Sequence, residues 1–136
     1  MCCTRTAYSN YVVRAEFWAS NDANSGIFNR CKEPKNPGDE TCYEANIFDD
    51  RPKPEYGTGA LVDVAKVDPM PKAGGRWNTY HITAKGDHLV AVLNGVKTAE
   101  GHDARFKSGV IGLQHGVGAK NDSSPVKYRN VQIRPF

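Results

Sequence analysis

Residues 76–98 constrain the fold more than any other part of this chain, because two turn signals divide the segment into strands that must pair with one another. A two-residue turn at Gly86-Asp87 sets Ala84 opposite Leu89, Ile82 opposite Ala91 and Tyr80 opposite Leu93, which gathers six apolar side chains on one face. Thr83 with Val90 and His81 with Val92 fall on the other. Asn94-Gly95 favours a type I′ turn and starts a further strand at Val96. His81 has no partner fixed by the sequence and reads as a surface histidine.

The rest of the chain agrees with a β reading. Its 136 residues suit one domain able to bury a core without help from metal, and no window shows sustained helical spacing of apolar residues. The 13 glycines and 8 prolines punctuate short strands. A strand over 8–19 places Tyr11, Val13, Ala15 and Phe17 inward, a short strand is expected at 60–64, and residues 66–75 form a loop. In the last strand the apolar phase changes from even positions (Val126, Tyr128) to odd ones (Val131, Ile133), which a bulge at Arg129-Asn130 explains. No apolar run is long enough to cross a bilayer. The net charge is +3, with Lys and Arg interspersed among Asp and Glu, so a nucleic-acid surface is not expected.

Residues 24–50 carry the densest set of functional groups: Arg30, Glu44, Asn46, Asp49 and Asp50, on two short strands joined by a polar loop with Cys31 and Cys42 at its ends. Two registers compete. If Cys31 sits opposite Cys42, Asn29 faces Glu44; if Arg30 faces Glu44, the cysteines are offset by one. A β-bulge near the cysteines reconciles them. The cysteines are read as a disulfide, with two free thiols as the alternative; the bridge would imply an oxidising compartment. There is no C-x-x-C and no histidine at zinc-finger spacing, so no structural zinc is expected. No signal region precedes Cys2 and Cys3. Trp77 opens the 76–98 segment either as a core aromatic or as a stacking platform for a sugar ring.

Seven motifs in order, N-S-G-I-F-N-R, Y-E-A-N-I-F-D-D, Y-G-T-G-A-L-V-D, G-R-W-N-T-Y-H-I-T-A-K-G, L-N-G-V-K-T, G-V-I-G-L-Q-H-G and K-Y-R-N-V-Q-I-R-P-F, resemble the 3-keto-disaccharide hydrolase domain family over 8–136. The resemblance implies an all-β, concanavalin A-like jelly-roll sandwich of two antiparallel sheets, acting on oxidised glucosides in bacteria, periplasmic or secreted. Members ordinarily begin with further strands, including a Trp-containing segment. The expectation is therefore one domain over 1–136 lacking those N-terminal strands, with 1–7 a poorly ordered or truncated lead-in.

A ketone at C3 acidifies the C2 proton of a glucoside, so the chemistry needs a base near C2 and a positive or hydrogen-bonding group for the developing enolate. Glu44, matching the family's Y-E motif, is the candidate base, and Arg30, matching its N-S-G-x-x-x-R motif, the clamp on the same concave face. Asp49, Gln114 and His115 are candidates for second carboxylate, hydroxyl ligand and proton shuttle. Glu44 with Asp49 or Asp50 would alternatively make a two-carboxylate hydrolase. Asn46, where many members have Gln, and Trp77 are candidate substrate contacts. No cofactor is required, although a divalent cation is compatible with the chemistry, and the expected partner is a small carbohydrate. The competing reading is a non-catalytic carbohydrate-binding module.

Overall fold

The computed structural model describes residues 1–114 and 124–136. Nine strands are assigned among them: β1 (Cys2–Cys3), β2 (Tyr11–Ala19), β3 (Ser25–Cys31), β4 (Tyr43–Ile47), β5 (Trp77–Lys85), β6 (His88–Leu93), β7 (Val96–His102), β8 (Val110–Leu113) and β9 (Val126–Pro135). They form two antiparallel sheets, one ordered β1-β8-β3-β4 and the other β7-β6-β5-β2-β9. The all-β sandwich expected from the sequence is the observed fold. A 3₁₀ turn at Pro54–Tyr56 is the helical element assigned.

Alternation builds the core. The odd residues of β2 are fully buried and the even ones half-buried. Tyr80, Ile82 and Ala84 of β5 join Leu89, Ala91 and Leu93 of β6 on the inner face, in the register that the Gly86-Asp87 turn predicts. Asn94 and Gly95 take φ of 52° and 81°, the positive values that a type I′ turn requires. Ile27, Tyr43, Ala45 and Ile47 close the core from the opposite sheet. The phase change in β9 is a bulge: its pairing with β2 slips between Arg14 and Glu16, and Asn130 has φ 52°.

Three expectations are corrected. Residues 60–64 form a turn along the edge of β4, because Val64 N–H bonds back to Leu61 and Asp63 takes φ 60°. Of residues 1–7, expected as a loose lead-in, Cys2 and Cys3 are paired with β8, Cys2 opposite Leu113 and Cys3 opposite Gly112, and the Thr4 N–H donates to the Ile111 carbonyl. The β3–β4 register is neither of the two alternatives, since Phe28 faces Glu44 and Asn29 faces Tyr43. Setting Asn29 opposite Glu44 would have turned Glu44 and Asn46 toward the core face with Ile27, so the burial of Ile27, Ala45 and Ile47 decides the pairing. A bulge does lie near the cysteines, between Phe28 and Cys31, but it interrupts the pairing of β3 with β8.

Candidate functional site

Glu44 stands on the outward face of β4, across from Phe28, and is only 9% exposed. Its carboxylate lies over Gly26, where an added Cβ would come within 2.7 Å of Oε1; the glycine of N-S-G is what leaves it room. Among the described residues no group hydrogen-bonds this carboxylate. Burial pushes its pKa up to about 7, with Asp39 and Asp63 raising it further and the Arg51 guanidinium opposing them. A carboxyl without a partner and near half-ionisation at neutral pH has the properties of a proton acceptor.

Gly26 also connects Glu44 to Gln114. The Gln114 N–H donates to the Gly26 carbonyl (3.0 Å), and its own carbonyl accepts from the Ser25 hydroxyl (2.5 Å). Gln114 Oε1 is buried with no hydrogen-bond partner among the described residues. The Tyr128 hydroxyl lies 2.8 Å from Ser25 Oγ and donates to the Gly26 carbonyl; burial raises its pKa, as does the charge of Glu44. It is therefore a persistent donor beside the same glycine.

The structure separates Arg30 from Glu44. The bulge gives Arg30 a left-handed φ of 53° and buries the side chain, which is 1% exposed. Its guanidinium donates to the carbonyls of Ser9 (2.8 Å from Nε), Gly86 (2.6 Å) and Phe106 (3.1 Å). The arginine expected as a substrate clamp is thus engaged in joining three chain segments. Asp49 is engaged likewise, accepting from the Thr58 hydroxyl (2.6 Å), Ala73 N–H (3.0 Å) and Gly74 N–H (2.9 Å). Asn46 donates to the Tyr56 carbonyl and accepts from Ile47 N–H, so its amide is occupied by backbone. Asp50 is exposed. Trp77 belongs to the other sheet, paired with Trp18, with the Arg129 guanidinium 3.7 Å from its ring centre. His115 lies outside the described residues.

What sequence reasoning missed is Arg51, the cation that acts on Glu44, together with Asp39 and Asp63. Arg51 follows the Y-E-A-N-I-F-D-D motif directly, and that adjacency was the available signal. Cys31 and Cys42 are disulfide-bonded, and they pack with Phe28 and Val110 in a small apolar cluster next to Glu44. No group of three or more His, Cys, Asp or Glu among the described residues is arranged to hold a metal ion. No helix among them is long and apolar enough to cross a membrane.

The family model for the 3-keto-alpha-glucoside-1,2-lyase-like domain matches residues 1–134. No curated protein matches. Among solved structures, a proposed glycosyl hydrolase from Parabacteroides distasonis ATCC 8503 superposes with a TM-score of 0.80 at 27% identity, covering 98% of this chain and 82% of that one. A second from the same organism gives 0.81 at 20% identity, over 98% and 75%. The carbohydrate-binding module CBM66 from Bacillus subtilis gives 0.70 at 18% identity, over 96% and 78%. At these last two identities the likeness is one of fold.

Proposed function

Because this chain belongs to the 3-keto-alpha-glucoside-1,2-lyase-like domain family, we propose that it cleaves the glycosidic bond of 3-keto-glycosides, with the Glu44 carboxylate as the base at C2. The observation that carries this reading is the buried carboxyl of Glu44, unpartnered among the described residues and raised to about 7. A binding module has no need of such a group. Glu44 takes the C2 proton, the C–H electrons pass into the enolate of the C3 ketone, and the enolate expels the C1 substituent with its bonding electrons to leave a 1,2-ene. The proton gained by Glu44 balances the one that the departing alkoxide requires. Water then adds across the double bond, hydroxyl to C1 and proton to C2, so that the net change is hydrolysis. Arg51 takes the role first given to Arg30, as the positive charge facing the enolate. The buried amide of Gln114 is suited to a substrate hydroxyl.

The disulfide fits an oxidising compartment, and a periplasmic or secreted location is part of the proposal. The test is incubation with 3-keto-trehalose or a small 3-keto-glucoside, with release of glucose or aglycone as the readout. Glu44→Gln keeps size and hydrogen bonding but removes the basic oxygen, and should lower kcat by about 10² to 10⁴. Turnover by the variant at the parental rate would refute the assignment of the base. The second reading, a carbohydrate-binding module, is favoured by the structural engagement of Arg30, Asp49 and Asn46; it prevails if sugars bind and no 3-keto-glycoside is cleaved.

A further inference from the structure

The outer face of the five-stranded sheet has a chemistry of its own. The registers of β2 with β5 and β9 set Trp18 between Trp77 and Lys127, Glu16 beside Arg129, Arg14 between His81 and Gln132, and Val12 beside Arg134. On these three strands the outward side chains include Arg14, Lys85, Lys127, Arg129 and Arg134, against one carboxylate, Glu16. That carboxylate is satisfied within the face, by Asn130 (2.6 Å), Arg129 (3.2 Å) and Arg14 (3.4 Å), and these contacts hold its pKa below the ordinary value. The face therefore presents a net positive field.

Within it lies a cavity of about 300 Å³ lined by Val12, Arg14, His81, Gln132, Ile133 and Arg134. Arg14 makes one long hydrogen bond, and the side chains of His81, Gln132 and Arg134 make none among the described residues. Two guanidinium groups and two further polar side chains thus surround Val12, while Ile133, opposite the buried Val13, turns its side chain to the core; no carboxylate is in the lining. Guanidinium forks are matched to carboxylates in both shape and charge. About 13 Å along β2, four residues at strand rise, Trp18 and Trp77 lie side by side with Lys127 and Arg129 over their rings, at 5.1 and 3.7 Å.

We infer that this face is a second carbohydrate site, distinct from the Glu44 site, that takes a glycan bearing carboxylates: a uronate in the Arg14–Arg134 cavity, with the chain continuing toward the Trp18–Trp77 pair. The choice of a sugar among carboxylate ligands rests on the carbohydrate reading above, whereas the charge argument stands without it. Such a site would hold the domain on an acidic polysaccharide while Glu44 acts on small substrates.

The test is affinity electrophoresis and titration calorimetry of the folded chain with polygalacturonate, using dextran as a neutral control and single-stranded DNA as a second polyanion. Binding to polygalacturonate that weakens with salt, without binding to dextran, is expected. The double variant Arg14→Gln/Arg134→Gln should lose at least about tenfold in affinity, the worth of one charge-assisted hydrogen bond. It should cleave a small 3-keto-glucoside at the parental rate, since neither arginine belongs to the Glu44 site. Trp77→Ala should weaken binding and leave turnover unchanged. No binding to polygalacturonate, equal binding to dextran or to DNA, or full affinity in the double variant would each overturn the inference. Failure of 3-keto-glucoside cleavage with arginine-dependent polygalacturonate binding intact would overturn the catalytic reading alone.

Discussion

A single residue, Glu44, joins the stability of this protein to its proposed chemistry. Its folded pKa of about 7 lies above the ordinary 4.5, so the folded state holds the proton more tightly than the unfolded chain does. Below pH 4.5 the group therefore costs nothing. Stability is lost as pH rises from 4.5 through 7, and the loss levels off at about 3 kcal/mol. Glu44→Gln removes this pH dependence: urea unfolding should find the variant more stable than the parent above pH 7 and equal to it below pH 4.5. In the same pH range kcat/KM for a small 3-keto-glucoside should rise as the carboxylate forms. Arg51 favours that carboxylate, so Arg51→Gln should move the rising limb of the pH–rate profile to higher pH. An unmoved limb would remove Arg51 from the site.

At the level of elements, the β3–β4 hairpin is held at its loop end by the Cys31–Cys42 disulfide and by Arg30, and both make stability predictions. The bridge closes a loop with a sequence separation of 11, for which chain entropy alone gives about 3 kcal/mol. Cys31→Ser/Cys42→Ser should lower the unfolding free energy by about that amount and leave turnover measurable. Arg30→Gln breaks charged hydrogen bonds to Ser9, Gly86 and Phe106 and should cost about 3 kcal/mol or more in chemical denaturation. Its KM should stay near the parental value. A raised KM with unchanged stability would restore the substrate role that the motif match suggested. The hairpin was legible from its alternating residues and its cysteines. Its register was not, because pairing between these strands depends on which residues the opposite sheet leaves room to bury.

Across the whole molecule, the sheets are tied through tyrosines that cross the core. The Tyr11 hydroxyl donates to Asn29 Oδ1 (2.8 Å), and that of Tyr80 to the Asn46 carbonyl (3.0 Å). Tyr11→Phe leaves Asn29 Oδ1 buried without its donor and should cost about 1–3 kcal/mol, read as a shift in the urea midpoint. The strand pattern of this sandwich was readable in advance because the signals are local. Period-two alternation in 8–19 and 76–98 and the Asn94-Gly95 turn depend on residues a few positions apart, and so does the phase change in β9. The family motifs were readable for the same reason. Only the tertiary structure decided that the bulge turns Arg30 inward, that Asp49 holds residues 73 and 74, and that Trp77 faces away from Glu44. It alone brought Arg51, Asp39 and Asp63 into the field of that carboxyl. Desolvation and Coulomb interactions are set by whatever surrounds a group in space, and for Glu44 much of that surrounding comes from distant parts of the chain.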